Sequence, residues 1–101
     1  MRSIEVDCGA SGASGWLCRV AVRDGDRTLS RHRVEVDRAD LADLAPGQTE
    51  PSRLVEAAFA FLLERESANS ILATFSITDI GRYFPGYEAD VRRRVETGEP
   101  R

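Results

Sequence analysis

Lysine is absent from this chain: all 14 basic residues are arginine. Such usage fits a GC-rich coding sequence better than a demand for phosphate binding, and it removes the lysine on which a GxxxxGK[ST] phosphate loop depends. There is one histidine, and no paired-carboxylate motif. So little titrates near neutral pH that general acid–base catalysis lacks its usual groups, and no enzymatic activity is expected. Two cysteines are too few for a secreted disulfide framework and suit a reducing compartment. No apolar run reaches the roughly 18 to 20 residues of a membrane span, and the N-terminus has no signal-peptide pattern, so a cytoplasmic protein without membrane attachment is expected. Net positive charge is also missing. With 17 acidic residues the formal charge is −3, which gives no global attraction to nucleic acid, so any such binding has to come from a local patch.

What is present suits one domain of 101 residues with 42% hydrophobic composition. Apolar residues crowd between Thr49 and Glu66, where Leu54, Val55, Ala57, Ala58, Phe59, Phe61, Leu62 and Leu63 fall within four turns. Thr49 as a hydroxyl cap, with Glu50 and Pro51 in the first turn, signals a helix start. The apolar stripe is too wide for one flat partner. A sheet on one side and further helix on the other would cover it.

The first 37 residues supply the sheet. Ile4, Val6 and Cys8 alternate with Glu5 and Asp7, as in a strand with one buried face. Gly9 to Gly15 holds only small residues and leads into the strand-like Trp16 to Val22, so it is a loop between strands rather than a phosphate cradle. A loop centred near Ala13 sets Cys8 opposite Cys18, Val6 opposite Val20, Ile4 opposite Val22 and Asp7 opposite Arg19. A second hairpin turns at Asp24-Gly25-Asp26. Burial of Val34 and Val36 beside Val20 and Val22 calls for an odd-numbered loop, because an even one would turn Leu29 inward and expose both valines.

That register brings Cys8, Cys18 and His32 side by side on the face toward the helix. Small core residues are the expectation. The alternatives are a Cys2His zinc site completed by a carboxylate or water, and a Cys8–Cys18 disulfide. No metal or other cofactor is expected. The opposite face carries Arg19, Arg23, Arg27, Arg31 and Arg33 against Glu5, Asp7, Glu35 and Asp37, a pattern of solvated cross-strand ion pairs. Arg23, Arg27 and Arg31 at the hairpin end are the candidate nucleic-acid contacts.

Residues 38–48 are expected to form a linker that crosses the sheet edge, with Leu41 and Leu44 against the core. After the central helix of residues 49–66, Ile71, Leu72 and Phe75 fit helical spacing better than strand spacing, although a fourth strand over 70–76 is the alternative. Ser76 and Asp79 resemble a capping box before Ile80 and Phe84. Pro85-Gly86 breaks the chain ahead of a last helix over Tyr87 to Val95, and 96–101 is a tail. Arg82, Tyr83, Phe84, Tyr87, Arg92, Arg93 and Arg94 form the candidate interaction surface, since aromatics beside arginines suit partner interfaces. The competing reading has Tyr83, Phe84 and Tyr87 close the open side of the central helix and the arginines form a solvated face beside Glu88, Asp90 and Glu96.

The run from Pro51 to Val95, with Leu54-Val55-Glu56-Ala57, Phe61-Leu62-Leu63-Glu64-Arg65-Glu66, Ser70-Ile71-Leu72 and Arg82-Tyr83-Phe84-Pro85 before Tyr87, resembles a family of small uncharacterised prokaryotic proteins. That resemblance implies a single-domain cytoplasmic protein and no catalytic residue. Pro46-Gly47-Gln48-Thr49 ahead of Leu54, Ala57 and Ala58 is similar to HicB-type antitoxins, which implies a toxin-neutralising role. The aromatic-rich strand that should precede the Pro-Gly turn is missing.

The expected fold is α+β: a three-stranded antiparallel meander packed by one central helix, with short C-terminal helices. The expected function is a non-enzymatic interaction or regulatory module that binds a protein partner or a second copy of itself. Nucleic-acid binding through the arginine surfaces is the alternative.

Overall fold

The structure is a computed structural model and describes residues 2–12 and 14–97. Three long strands, β1 (Arg2–Ser11), β2 (Gly15–Asp24) and β3 (Arg27–Asp37), run antiparallel in sequence order. Between β1 and β2 the register is the one anticipated: Ile4 pairs with Val22, Val6 with Val20, Asp7 with Arg19 and Cys8 with Cys18. Alternation fixes the parity, since a slip of one residue would turn the whole apolar set outward, and the centred loop of small residues fixes the register within it.

The second hairpin corrects the expectation of an odd loop. Asp24 pairs with Arg27, leaving a two-residue turn in which Gly25 takes a φ of 62° at the first central position, the place a type II′ turn reserves for glycine. The parity problem is solved by a bulge. Arg23 pairs with Thr28 but Val22 with Ser30, so Leu29 is the extra residue, and beyond it His32, Val34 and Val36 share the buried face of β2. A bulge thus does what loop length was expected to do.

The chain continues into α1 (Arg38–Leu44), a longer helix than the single weak turn anticipated within the linker. Its entry is fixed by Arg38 N–H donating to Ser14 O at 2.8 Å and by Asp37 N–H donating to the Asp40 carboxylate at 3.3 Å. Leu41 and Leu44 are buried, as their spacing suggested. The central helix, α2, spans Ser52–Leu63, shorter than residues 49–66, and Pro51 rather than Thr49 stands at its cap. Leu54, Val55, Ala58, Phe59 and Phe61 are almost fully buried, so the wide stripe is covered on two sides. Each buried aromatic or branched side chain of this kind contributes on the order of 1.5–3 kcal/mol.

Beyond a 3-10 turn at Ala68–Ser70, the chain forms β4 (Thr74–Ser76), where helical spacing was preferred. This strand lies parallel to β3, pairing Thr74 with Arg33 and Phe75 with Val34. The sheet is therefore four-stranded and mixed rather than a three-stranded meander, with β1 and β4 as its edges. Two helices close the core, α3 (Ile80–Tyr83) and α4 (Tyr87–Thr97). The buried valines of β2 and β3 share one core with buried residues of all four helices, and the α+β class holds. No helix among the described residues is long and apolar enough to cross a membrane.

Candidate functional site

The row of Cys8, Cys18 and His32 does not form. Cys8 and Cys18 are joined in a disulfide across β1 and β2, which corrects the expectation of two core thiols and takes both sulfurs out of metal ligation. His32 lies opposite Val20, two residues along the face from Cys18, because the bulge displaces β3. The imidazole is fully satisfied where it is. Nδ1–H donates to Leu72 O at 2.7 Å, Ser30 Oγ–H donates to Nε2 at 2.8 Å, and the ring packs on Phe59 with centroids 5.1 Å apart. This histidine pins the 71–73 segment to the sheet.

The arginine triplet of α4 is likewise occupied. Arg92 reaches α1, donating from Nε to Asp43 O at 2.9 Å and from Nη2 to the Asp43 carboxylate at 3.1 Å. Arg93 pairs with Asp90 on its own helix. Arg94 donates to Asp90 at 3.0 Å and to both Glu64 oxygens at 2.8 Å, joining α4 to the end of α2. Burial works against the Arg94 charge, but the hydrogen bonds it donates to Glu64 and Asp90 outweigh it and hold the guanidinium above its ordinary pKa. Arg94 in turn holds the Glu64 carboxyl below the usual range. These three arginines are helix clamps.

Among the aromatics, Tyr87 is buried and its hydroxyl donates to Ile77 O at 2.9 Å. Burial pushes its phenol pKa well above the ordinary value, with Glu88 and Asp40 adding to the shift. Phe84 packs edge-on to Phe61 at 5.9 Å, and Arg65 covers the Phe61 ring at 3.7 Å. Tyr83 is the exception. It is 68% exposed, and Leu72, absent from the anticipated surface, is 57% exposed. They are the exposed large hydrophobic residues among the described residues.

Both border one groove of about 300 Å³ between the end of α2, the 3-10 turn and α3, floored by Leu62, Ile71 and Phe84. Glu66 and Asp79 supply carboxylates to its wall, and among the described residues no basic side chain lines it. The Asp79 carboxylate accepts from Ser76 N–H at 3.0 Å, whereas Glu66 faces the groove with no side-chain partner among the described residues. Arg82 stands beside Tyr83, exposed and outside the lining. No protein-family model, curated protein or solved structure matches this chain.

The hairpin arginines separate. Arg23 pairs with Glu5 at 3.7 Å and donates to Asp26 O at 3.2 Å. The tight turn sets Arg27 opposite Asp24, on the other side of the ribbon from Arg23, so Arg23, Arg27 and Arg31 do not make one surface. Leu72 was missed because only a fixed tertiary position of 71–73 leaves it outside the core. A leucine in an apolar stretch carries no local sign of exposure.

Proposed function

We propose that this protein is a non-enzymatic interaction module that docks a short amphipathic segment of a partner protein, bearing apolar anchors and at least one basic residue, in the groove beside Leu72 and Tyr83. The single observation that carries the reading is that, among the described residues, the two exposed large hydrophobic side chains converge on one groove whose charged lining is acidic alone. Exposed apolar groups scattered over a surface are ordinary, but two on one concave patch with a polar rim suit a docking site. Glu66 selects the sign of the partner, because its carboxylate has no basic neighbour in the groove to neutralise it.

The test is a titration of amphipathic peptides of equal length and hydrophobicity that carry basic, neutral or acidic residues, followed by backbone NMR shifts. Saturable binding of the basic peptides, with shifts clustered at Leu72, Tyr83 and Ile80, is expected. Leu72→Ser with Tyr83→Ser should abolish it, and Glu66→Gln should weaken it and reduce its salt dependence. Equal binding of acidic peptides would overturn the reading. So would a dimer in sedimentation that Tyr83→Ser dissolves, since a second copy would then be the occupant.

A further inference from the structure

The sheet face turned away from the helices holds an independent feature. Arg19 sits directly opposite Arg33 across β2 and β3, and Arg31, two residues from Arg33, sits opposite Ala21. Like charges set directly across a strand pair repel, and most of this chain avoids that. Arg23, Arg65, Arg92, Arg93 and Arg94 each have a carboxylate within 4 Å. Arg19, Arg31 and Arg33 have no ion pair among the described residues. Of the two carboxylates on β1 that line the same space, Glu5 is engaged by Arg23, and Asp7, directly across from Arg19, makes no ion pair with it within 4 Å.

The three unpaired guanidinium groups surround a depression of about 550 Å³, within the range of small-ligand pockets. Ala21 lies in its lining, a side chain too short to fill the space between its arginine neighbours, and Thr74 of β4 adds a hydroxyl at the far side. A guanidinium presents a rigid fork of donors matched to the oxygens of a phosphoryl group, and several forks around one space suit more than one such group. The patch is also bounded. Glu5 and Asp7 on β1 form one rim, and Glu35 follows Arg33 on β3 with the same outward parity, so an extended polyanion leaving the depression would meet carboxylates. Among the described residues no Phe, Tyr or Trp lines the depression to stack a base, and the His32 ring is packed on Phe59.

We infer that the depression ringed by Arg19, Arg31 and Arg33 binds a compact phosphorylated anion, such as pyrophosphate or a small phosphate ester, recognised through its phosphoryl oxygens.

The test is calorimetric titration of the full chain, in buffer free of phosphate, with inorganic pyrophosphate, glycerol phosphate, orthophosphate and a single-stranded oligonucleotide. Saturable binding of pyrophosphate, or of the ester above orthophosphate, is expected, and the order of the two identifies whether the ligand is a diphosphate or a monoester. Arg19→Gln and Arg33→Gln should each weaken it at least tenfold. Arg82→Gln, an exposed arginine on α3 outside the depression, should leave it within twofold. Arg33→Gln should melt no lower than the parent in the absence of anion, since it relieves repulsion, which separates lost binding from lost folding. Failure of every phosphate compound to bind at millimolar concentration would overturn the inference. So would unchanged affinity in the Arg19→Gln, Arg33→Gln double variant, or oligonucleotide binding that is tighter and grows with length.

Discussion

Arg94 of α4 and Glu64, at the end of α2, meet with one guanidinium nitrogen 2.8 Å from both carboxylate oxygens. The contact joins two helices distant in sequence, and its arginine is largely buried while its carboxylate side chain is 55% exposed. Hydrogen bonding by Arg94 lowers the Glu64 pKa in the folded state. A depressed native pKa means that the group contributes stability above its unfolded value, about 4.3, and loses it as pH falls through the lower native value. Solvent screening keeps the contribution to a few tenths up to about 1 kcal/mol. Glu64→Gln should therefore be less stable than the parent at pH 7 by that amount, and the two denaturation midpoints should draw together as pH falls from about 4.3 through the lower native value. A gap that stays constant with pH would show that the ion pair is not its source.

Tyr87 should resist alkali. Its phenol is raised by burial, so the native state holds the neutral form, and the stability this gives is present below the unfolded value near 10 and is lost as pH rises toward the native one. In a Tyr83→Phe background, phenolate absorbance should rise together with unfolding rather than before it. Tyr87→Phe removes the donor to Ile77 O and should cost about 1–3 kcal/mol at neutral pH, the penalty of a buried acceptor left without its partner.

Gly15 should tolerate no side chain. A Cβ there would stand 2.3 Å from Val36 O and 2.9 Å from Asp37 Cα, both of them backbone, at the point where β2 begins against β3. Gly15→Ala is expected to destabilise by at least the roughly 1–3 kcal/mol of core overpacking. Gly9→Ala meets nothing within 4 Å and serves as the control, with near-unchanged urea midpoints.

Loss of the Cys8–Cys18 crosslink should lower stability by about 2–3 kcal/mol, because the ten-residue separation closes only a short loop in the unfolded chain. Denaturation of the parent with and without a dithiol reductant, beside the Cys8→Ala, Cys18→Ala double variant, measures this. If all three unfold together, the crosslink contributes nothing to the fold.

The β1–β2 register was legible in the sequence because two signals agreed, alternation on both strands and a loop of small residues with a clear centre. His32 was placed on the correct face but two residues from its true neighbour. A bulge at Leu29 preserves parity while shifting register, and alternation reports only parity. The strand β4 was hidden for another reason. Three residues are too few to show a period, and pairing with β3 depends on a chain reversal through two helices. In the candidate groove, Tyr83 and Phe84 were legible as aromatics near a Pro-Gly break, while the partition of Tyr87 into the core and Leu72 into solvent was set by packing. The pairings of Arg92 with Asp43 and Arg94 with Glu64 span 49 and 30 residues, distances over which charge patterning is silent.

The sheet has one long free edge, β1, since β4 on the other side is only three residues long. Free edges invite strand-by-strand polymerisation. Were two copies to join along β1 about a twofold axis, the central registers that keep the faces matched would set Glu5 against Glu5, Glu5 against Asp7, or Asp7 against Asp7. Each is a head-on clash of carboxylates at neutral pH. The two acids that alternate so plainly with Ile4, Val6 and Cys8 thus also guard the protein against edge-to-edge pairing of two copies, a protection that acid conditions would remove.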